Sequence, residues 1–324
     1  MNKYYEGKRV AITGGAGMVG RQLQDRLLEM GATVYVVDNM SRGKYVADGA
    51  TSIEVDVSKP DSCNYAFRGA NVVGEPVDMV FNLAANVAGV LFNQKNNMTM
   101  FQSNVLLQTV PAWIAGDIGV KNFLQVSTVC VYTPTKQVNA HEKDGFIGDP
   151  HKSNGGYAWS KRIGEKIAAL SDVERVVTVR PSNVYGVADY YDETAHVIPA
   201  LIKRVFGDDE VLTLYGNPKF TREFVYAADT AEGMLYAMAR GTIGGVYNIG
   251  TNGDTAISME DLAKKIMHLA GIKKDIEIVS GIGGGDPHRS ADAEPLRSTG
   301  WSHKYSLDTG IALTIQDYKE RYCG

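Results

Sequence analysis

An α/β protein, with a doubly wound parallel sheet and a second, smaller α/β lobe, is predicted by three features of this 324-residue sequence. From Arg9 to about Pro181, short β-branched runs alternate with longer segments of helical period, the pattern of parallel strands joined by crossover helices. Several of those runs are apolar nearly throughout, as strands covered on both faces must be. After Gly186 the rhythm changes, with no repeating βα unit, and a second lobe begins.

Strands are expected at RVAIT (9–13), TVYVVD (33–38), SIEVDV (52–57), DMVFNLA (78–84), NFLQVST (122–128) and RVVTVRP (175–181). Helices are expected between them at about 17–30, 60–68, 97–116 and 156–170. Beyond Gly186, HVIPALIKRVF reads as a helix and VLTLY as extended. A Gly/Pro/Lys turn then precedes REFVY. AADTAEGMLYAMAR is strongly helical and GGVYNIG reads as one more strand, which returns the chain to the first domain before SMEDLAKKIMHLAG. The expected division is therefore 1–185 plus a return at about 224–250 for the first domain, and 186–223 plus 251–324 for the second. The glycine-rich GIGGGDP (281–287) is either a loop over a ligand or a plain connector.

Composition narrows the function classes. With 44% hydrophobic and 22% charged residues the chain can bury a full core. Its 33 basic and 37 acidic residues give a formal charge of −4, which argues against nucleic-acid binding by bulk electrostatics. Cys63, Cys130 and Cys323 are too few and too scattered for a disulfide framework or a four-thiolate zinc site, so no metal is expected and a reducing cytoplasm is the default. MNKYYEGKR lacks the apolar core of a signal peptide, and no apolar stretch approaches the ~18 to 20 residues of a spanning helix. A soluble intracellular protein with no membrane partner is expected.

The motif AITGGAGMVGRQL sets Gly14, Gly17 and Gly20 at the end of the first strand and the start of the first helix. A tight turn there needs unusual dihedrals, and a pyrophosphate must come close to the helix N-terminus, where unpaired amides favour negative charge. Met18 and Val19 lie in the same turn as candidate contacts. Eighteen residues past Gly20 the second strand ends in Asp38, followed by Asn39. A carboxylate there can accept both ribose hydroxyls and repel a 2′-phosphate, which favours NAD over NADP and a Rossmann-type domain. Asp56 and Val57, closing the third strand, either lie beside the adenine or form a solvated strand end. Leu83, Ala84 and Ala85 either let backbone pass under the nicotinamide-side ribose or simply pack a crowded sheet edge.

Tyr157 and Lys161 in YAWSK stand four apart within a helical segment and so share one helix face. A nearby ammonium and an oxidised nicotinamide would lower the phenol from its usual value of about 10, allowing it to take a proton from a substrate hydroxyl. Thr128, at the end of the fifth strand, carries a hydroxyl able to hold the same oxygen.

Taken with TGGAGMVG, Asp38, NLAA, STVCVY, RPSNVYG, REFVYAAD, VYNIG and Gly300-Trp301 in order, these motifs resemble the extended short-chain dehydrogenase/reductase family, in its nucleotide-sugar epimerase and dehydratase branch. The resemblance implies Thr128 in the Ser/Thr role, Tyr157 as acid/base, Lys161 binding ribose and tuning Tyr157, and sugar carbon 4 as the hydride centre. It also implies a homodimer formed through the helices at about 97–116 and 156–170. VFNLAANVAGVLFNQKNN and VSTVCVYTP are similar to the GDP-mannose 3,5-epimerase and GDP-fucose synthase families, whose catalytic cysteine falls on Cys130. AHVIPALIKR is similar to the synthase segment whose catalytic histidine falls on His196. Arg204, Tyr215 and Arg222 fall near nucleotide-contacting positions of that family. Inversion beside a ketone needs a base on one face and a donor on the other, so a Cys130 thiolate and a His196 imidazolium are the expected pair.

Departures from those families are Thr133-Pro134 after Tyr132, the pair Ala88-Gly89, and Asp38, because GDP-fucose synthase prefers NADPH. Val129-Cys130 also replaces the Asp-Glu pair of the 4,6-dehydratases, and decarboxylases that use a glutamate there are disfavoured alike. Asn183, Arg222 and Arg289 are the candidates around a substrate pyrophosphate, since an arginine fork donates two parallel hydrogen bonds. The leading expectation is a nucleotide-sugar epimerase with permanently bound NAD, with a GDP-hexose favoured. A 4-epimerase or 4-ketoreductase, and a non-catalytic NAD-binding regulator, are the alternatives.

Overall fold

The computed structural model of the chain describes residues 1–70, 74–281 and 285–323. Its first half runs α1 (Asn2–Tyr5), β1 (Arg9–Thr13), α2 (Met18–Glu29), β2 (Thr33–Asp38), β3 (Thr51–Glu54), α3 (Pro60–Phe67), β4 (Met79–Asn82), α4 (Val90–Lys95), α5 (Asn97–Asp117), β5 (Asn122–Val126), α6 (Gly155–Leu170) and β6 (Arg175–Pro181). The second half adds β7 (Asn183–Tyr185), α7 (Val197–Phe206), β8 (Val211–Tyr215), β9 (Thr221–Arg222), β10 (Phe224–Tyr226), α8 (Ala227–Arg240) and β11 (Val246–Ile249). It closes with β12 (Ile257–Ser258), α9 (Met259–Ala270), β13 (Asp275–Val279), β14 (His288–Arg289), α10 (Glu294–Arg297) and α11 (Leu307–Tyr322).

Among the described residues, seven strands form one sheet in the order β11-β6-β5-β4-β1-β2-β3, every neighbouring pair parallel. Alternation along each strand splits the core in two. Val10 and Ile12, Val34 and Val36, and Met79 and Phe81 face α2 and α8. Ala11, Val37, Val80 and Phe123 face α3, α5 and α6. Helices on both faces of a parallel sheet make this the Rossmann-type architecture expected from the sequence. A separate apolar cluster joins α7, α9 and α11 through Ile198, Leu201, Ile266, Ile311 and Ile315. Local chemistry sets the ends of these helices: Ser258 and Ser306 accept backbone N–H bonds of 3.1 Å at the starts of α9 and α11, and Gly271 closes α9 at φ 70°.

Several strands are shorter than the apolar runs suggest. β3, β4 and β5 end at Glu54, Asn82 and Val126, and after one further backbone bond each, from Val55, Leu83 and Ser127 N, the chain leaves the ladder as loops. These exits all lie at the carboxyl ends of the strands, where an open α/β sheet forms its ligand crevice. The sequence reading does not assign α4, β7 or α11, although Leu307, Ile311, Ile315 and Tyr318 bury one face of α11. Residues 282–284 of the glycine-rich run fall outside the described residues. No helix among the described residues is long and apolar enough to cross a membrane. The three cysteines are free, and no cluster of potential metal ligands occurs among the described residues.

Candidate active site

A cleft of about 1550 Å³ opens along the carboxyl ends of the strands and continues to α7, β8 and β9. At one end the loop after β1 carries Gly14 at φ 64°, and a Cβ there would lie 2.9 Å from the Ala84 backbone. Gly20, in the first turn of α2, packs so close to the Gly15 carbonyl that a Cβ would overlap it. Both positions demand glycine, one for its left-handed backbone and the other for contact. Gly17 caps α2, leaving the Met18, Val19 and Gly20 amides without intrahelical partners. Asp38 lines the cleft and accepts from Ala16 N at 3.1 Å and Met40 N at 2.9 Å. Burial raises its pKa, opposed by those N–H bonds, and each carboxylate oxygen keeps a lone pair for a ligand hydroxyl. Asn39, Asp56, Val57, Leu83, Ala84 and Ala85 line the same end.

Tyr157 and Lys161 project from α6 into the middle of the cleft, with the Lys161 ammonium 5.7 Å from the centre of the Tyr157 ring. Lys161 Nζ donates to Gln108 Oε1 at 3.0 Å and to the Val126 carbonyl at 2.8 Å. Burial pulls its pKa down to about 7, partly offset by the Glu165 charge one turn on. The Tyr157 phenol is pushed well above its ordinary value, first by burial and then by Cys130. Thr128 caps the tight turn Val129–Val131 just beyond β5, its Oγ1 accepting from Cys130 N at 3.2 Å.

Cys130 lies on that turn, and Arg289 Nη1 donates to its sulfur at 3.3 Å. Arg289 also donates from Nη2 to Asp286 at 2.9 Å and from Nε to Gln137 at 2.7 Å, so its guanidinium is committed within the protein beside Cys130. His196 stands just before α7 on another wall of the cleft, and no hydrogen bond joins it to Cys130 among the described residues. Burial, reinforced by the Arg42 charge, pulls the imidazole down to about 4. Burial therefore favours the neutral imidazole over the imidazolium expected from the sequence, and the cation beside the Cys130 sulfur is Arg289.

Between α7 and β8, Arg204 donates to the Thr213 carbonyl at 2.6 Å and lies over the Tyr215 ring at 5.4 Å. Arg222 lines the cleft, with its pKa lowered by burial and by neighbouring Arg289 to about 10. Asn183 Nδ2 is taken by the Glu223 carbonyl at 2.7 Å.

Sequence reasoning missed Arg42. Its Nη1 and Nη2 reach the Val87 carbonyl at 3.1 Å and Thr194 Oγ1 at 2.7 Å, and it stacks on Tyr190 at 3.6 Å. It therefore ties together three loops around the cleft. Nothing in the spacing of an arginine four residues past Asp38 announces partners about 150 positions away. Glu223 was also silent: fully buried, it accepts from Ser182 Oγ at 2.6 Å and from Thr251 N, Gly253 N and Ala291 N at 2.7, 2.8 and 3.1 Å. It fixes the loops on either side of Arg222.

The family model described as the NAD dependent epimerase/dehydratase family matches residues 10–250. A GDP-L-fucose synthase of Sinorhizobium fredii is 25% identical over 97% of this chain and 96% of its own length. UDP-glucuronic acid decarboxylase 2 of Arabidopsis thaliana is 30% identical over 98% of this chain and 70% of its own. The crystal structure of a Thermus thermophilus UDP-glucose 4-epimerase in complex with NAD superposes with a TM-score of 0.82, at 25% identity, covering 96% of this chain and 99% of that one. The glycine cradle, the unpaired amides of α2 and the half-satisfied Asp38 carboxylate fit NAD, which is the cofactor. Fold, cleft and the match over residues 10–250 together make this chain a member of the NAD-dependent epimerase/dehydratase family, of extended short-chain dehydrogenase/reductase architecture.

Proposed function

We propose that the chain is an epimerase of nucleotide-diphosphate hexoses that oxidises sugar carbon 4 transiently and inverts carbon 3, carbon 5 or both. The observation that carries this reading is a cysteine, Cys130, held by Arg289 in the same cleft as Thr128, Tyr157 and Lys161. The residues after Thr128 are Val129 and Cys130, so the acid pair that eliminates water in a 4,6-dehydratase is lacking. A GDP-hexose is favoured by the similarity to GDP-sugar enzymes, with Asn183, Arg204, Tyr215 and Arg222 around the nucleotide. Residues 1–185 with 224–250 would carry the cofactor, and 186–223 with 251–324 the sugar nucleotide. The exposed apolar side chains of Met98, Leu106 and Trp113 on α5, and of Trp159 and Leu170 on α6, suit a homodimer formed through those helices.

NAD supplies a hydride acceptor and donor at carbon 4. Thr128 and Tyr157 hold the carbon-4 oxygen, and Tyr157 takes its proton in the phenolate form, which a charged Lys161 and an oxidised nicotinamide would stabilise after the phenol has given its own proton to solvent. The resulting ketone acidifies the hydrogens on carbons 3 and 5. A neutral imidazole is ready to accept one of them, so His196 acts as base while the Cys130 thiol returns a proton to the opposite face. The thiolate left behind accepts the Arg289 hydrogen bond. This exchanges the two roles expected from the sequence alone. A plain 4-epimerase is the second reading, favoured by the likeness to the UDP-glucose 4-epimerase structure, at a TM-score of 0.82.

One experiment separates them. Turnover of GDP- and UDP-hexoses in heavy water is expected to place deuterium at carbon 3 or 5, located by NMR, whereas Cys130→Ser stops inversion there and still permits carbon-4 oxidation, seen as NADH absorbance. Conversion by the wild type with no solvent deuterium at either carbon would establish the 4-epimerase reading. Separately, Asp38→Ala is expected to narrow the preference for NAD(H) over NADP(H) in titrations of the apo-protein, because it removes a negative charge from beside the 2′ position. Tighter binding of NADPH by the wild type would contradict the role given to Asp38.

A further inference from the structure

On the sheet face under α5 and α6, one rung is lined by uncharged polar side chains. Thr13 on β1 is in register with Asn82 on β4, which is in register with Gln125 on β5, and all three are fully buried. Thr13 Oγ1 donates to Asn82 Oδ1 at 2.6 Å, Asn82 Nδ2 to Gln125 Oε1 at 3.2 Å, and Gln125 Nε2 to Gln108 Oε1 at 2.7 Å. Gln108, on α5, then receives Lys161 Nζ on the same Oε1, while its own Nε2 donates to the Ala84 carbonyl at 2.9 Å. Backbone groups along the row fix its direction. Ala84 N donates to Thr13 Oγ1 at 3.2 Å, leaving that hydroxyl its hydrogen for Asn82 Oδ1, and the Leu107 carbonyl accepts from Asn82 Nδ2 at 3.3 Å. Each amide downstream is then oriented in turn, and the row ends in an oxygen facing Lys161.

Four buried polar side chains in this layer are costly unless fully paired, and these are paired end to end. We propose that Gln108, oriented by this relay from Thr13, is the positioning residue that keeps Lys161 charged and turned toward the cleft. Gln108 Oε1 and the Val126 carbonyl take two ammonium hydrogens, which leaves the third for a ligand in the cleft. The relay also links the end of β1, beside the glycine turn, to the Tyr157 helix, so the two halves of the cofactor site are held in one register. The inference rests on the reading of Tyr157 and Lys161 as the catalytic pair.

The other charged and titratable groups around Lys161 are Tyr157 and Glu165 on its own helix, Arg180 on β6 paired with Glu165, and Cys130 on the turn after β5. None of them is altered in the test. In apo-protein carrying 13C-labelled lysine, the Lys161 Cε resonance, identified by its loss in Lys161→Met, reports the midpoint of its titration. Gln108→Met keeps the length of the side chain and removes the acceptor, and is expected to lower that midpoint by about one pH unit or more, the scale of a hydrogen bond to a charged group. The alkaline limb of the pH–turnover profile should move down with it, since less Lys161 is charged at a given pH. An unchanged midpoint, with thermal stability alone reduced, overturns the proposal. Should Gln108→Met fail to fold, Gln108→Glu decides: it keeps the acceptor and adds a negative charge, so the midpoint rises above that of the wild type, and no rise overturns the proposal. Near-wild-type turnover of Lys161→Met would instead remove the catalytic-pair reading, while the NMR midpoint still decides the role of Gln108.

Discussion

Tyr157→Phe is expected to lower turnover of the nucleotide-sugar substrate by about 10²- to 10⁴-fold, the loss that follows removal of a positioned acid/base group. The substitution takes away one oxygen and leaves the ring on the cleft wall. The hydrogen bond that helix α6 draws from this residue runs through its backbone carbonyl, from Ser160 Oγ at 2.6 Å, and is untouched. Thermal stability and NAD affinity should therefore stay close to those of the wild type, and the loss should fall on kcat. In the free protein burial holds the phenol protonated and brings Lys161 to about 7, so the proton transfer depends on the charge of Lys161. That charge is lost as pH rises through the lysine midpoint, and turnover should fall on the same side. Near-normal turnover of the phenylalanine variant would take Tyr157 out of the mechanism and favour a non-catalytic NAD-binding role.

The largest effect on stability is expected from Arg180→Met. Arg180 on β6 and Glu165 on α6 are both buried, with Nε and Nη2 donating to the two carboxylate oxygens at 2.9 and 2.6 Å. Arg180 also donates to the Tyr132 hydroxyl at 3.1 Å and to the Glu142 carbonyl at 2.7 Å, and Ser127 donates to Glu165. Removing the guanidinium strands a carboxylate in the layer between sheet and helix, a change that typically costs about 3–5 kcal/mol. The double variant Arg180→Met/Glu165→Leu should recover most of that loss, because neither charge is then buried alone. Denaturant unfolding of the two variants measures both values, and a loss under about 1 kcal/mol for Arg180→Met would mean that Glu165 finds another partner or a proton.

Much of the cofactor half was legible because its signals are local. Alternating apolar runs and helical periods place β1 to β6 within a few residues, the glycine turn sits between a strand and a helix, and four-residue spacing puts Tyr157 and Lys161 on one face of α6. Strand ends were less legible, since Leu83, Ala84, Ser127 and Thr128 keep an apolar or β-prone character where their backbone leaves the ladder.

By itself, then, the sequence determined the doubly wound parallel sheet, the glycine turn between β1 and α2 and the placing of Tyr157 and Lys161 on one face of α6, all consequences of residues within a turn or a strand of one another. Tertiary structure alone decided that Arg289, 159 positions from Cys130, is the cation at its sulfur, and that Gln108, 53 positions from Lys161, accepts a hydrogen bond from the ammonium. It also set the surroundings that lower the His196 pKa, burial and the charge of Arg42, which lies 154 positions away in the chain. The physical reason is the same in each case. Periodicity specifies which face a side chain takes, but its partner and its charge follow from the order in which strands and helices cross, and only the folded chain fixes that order.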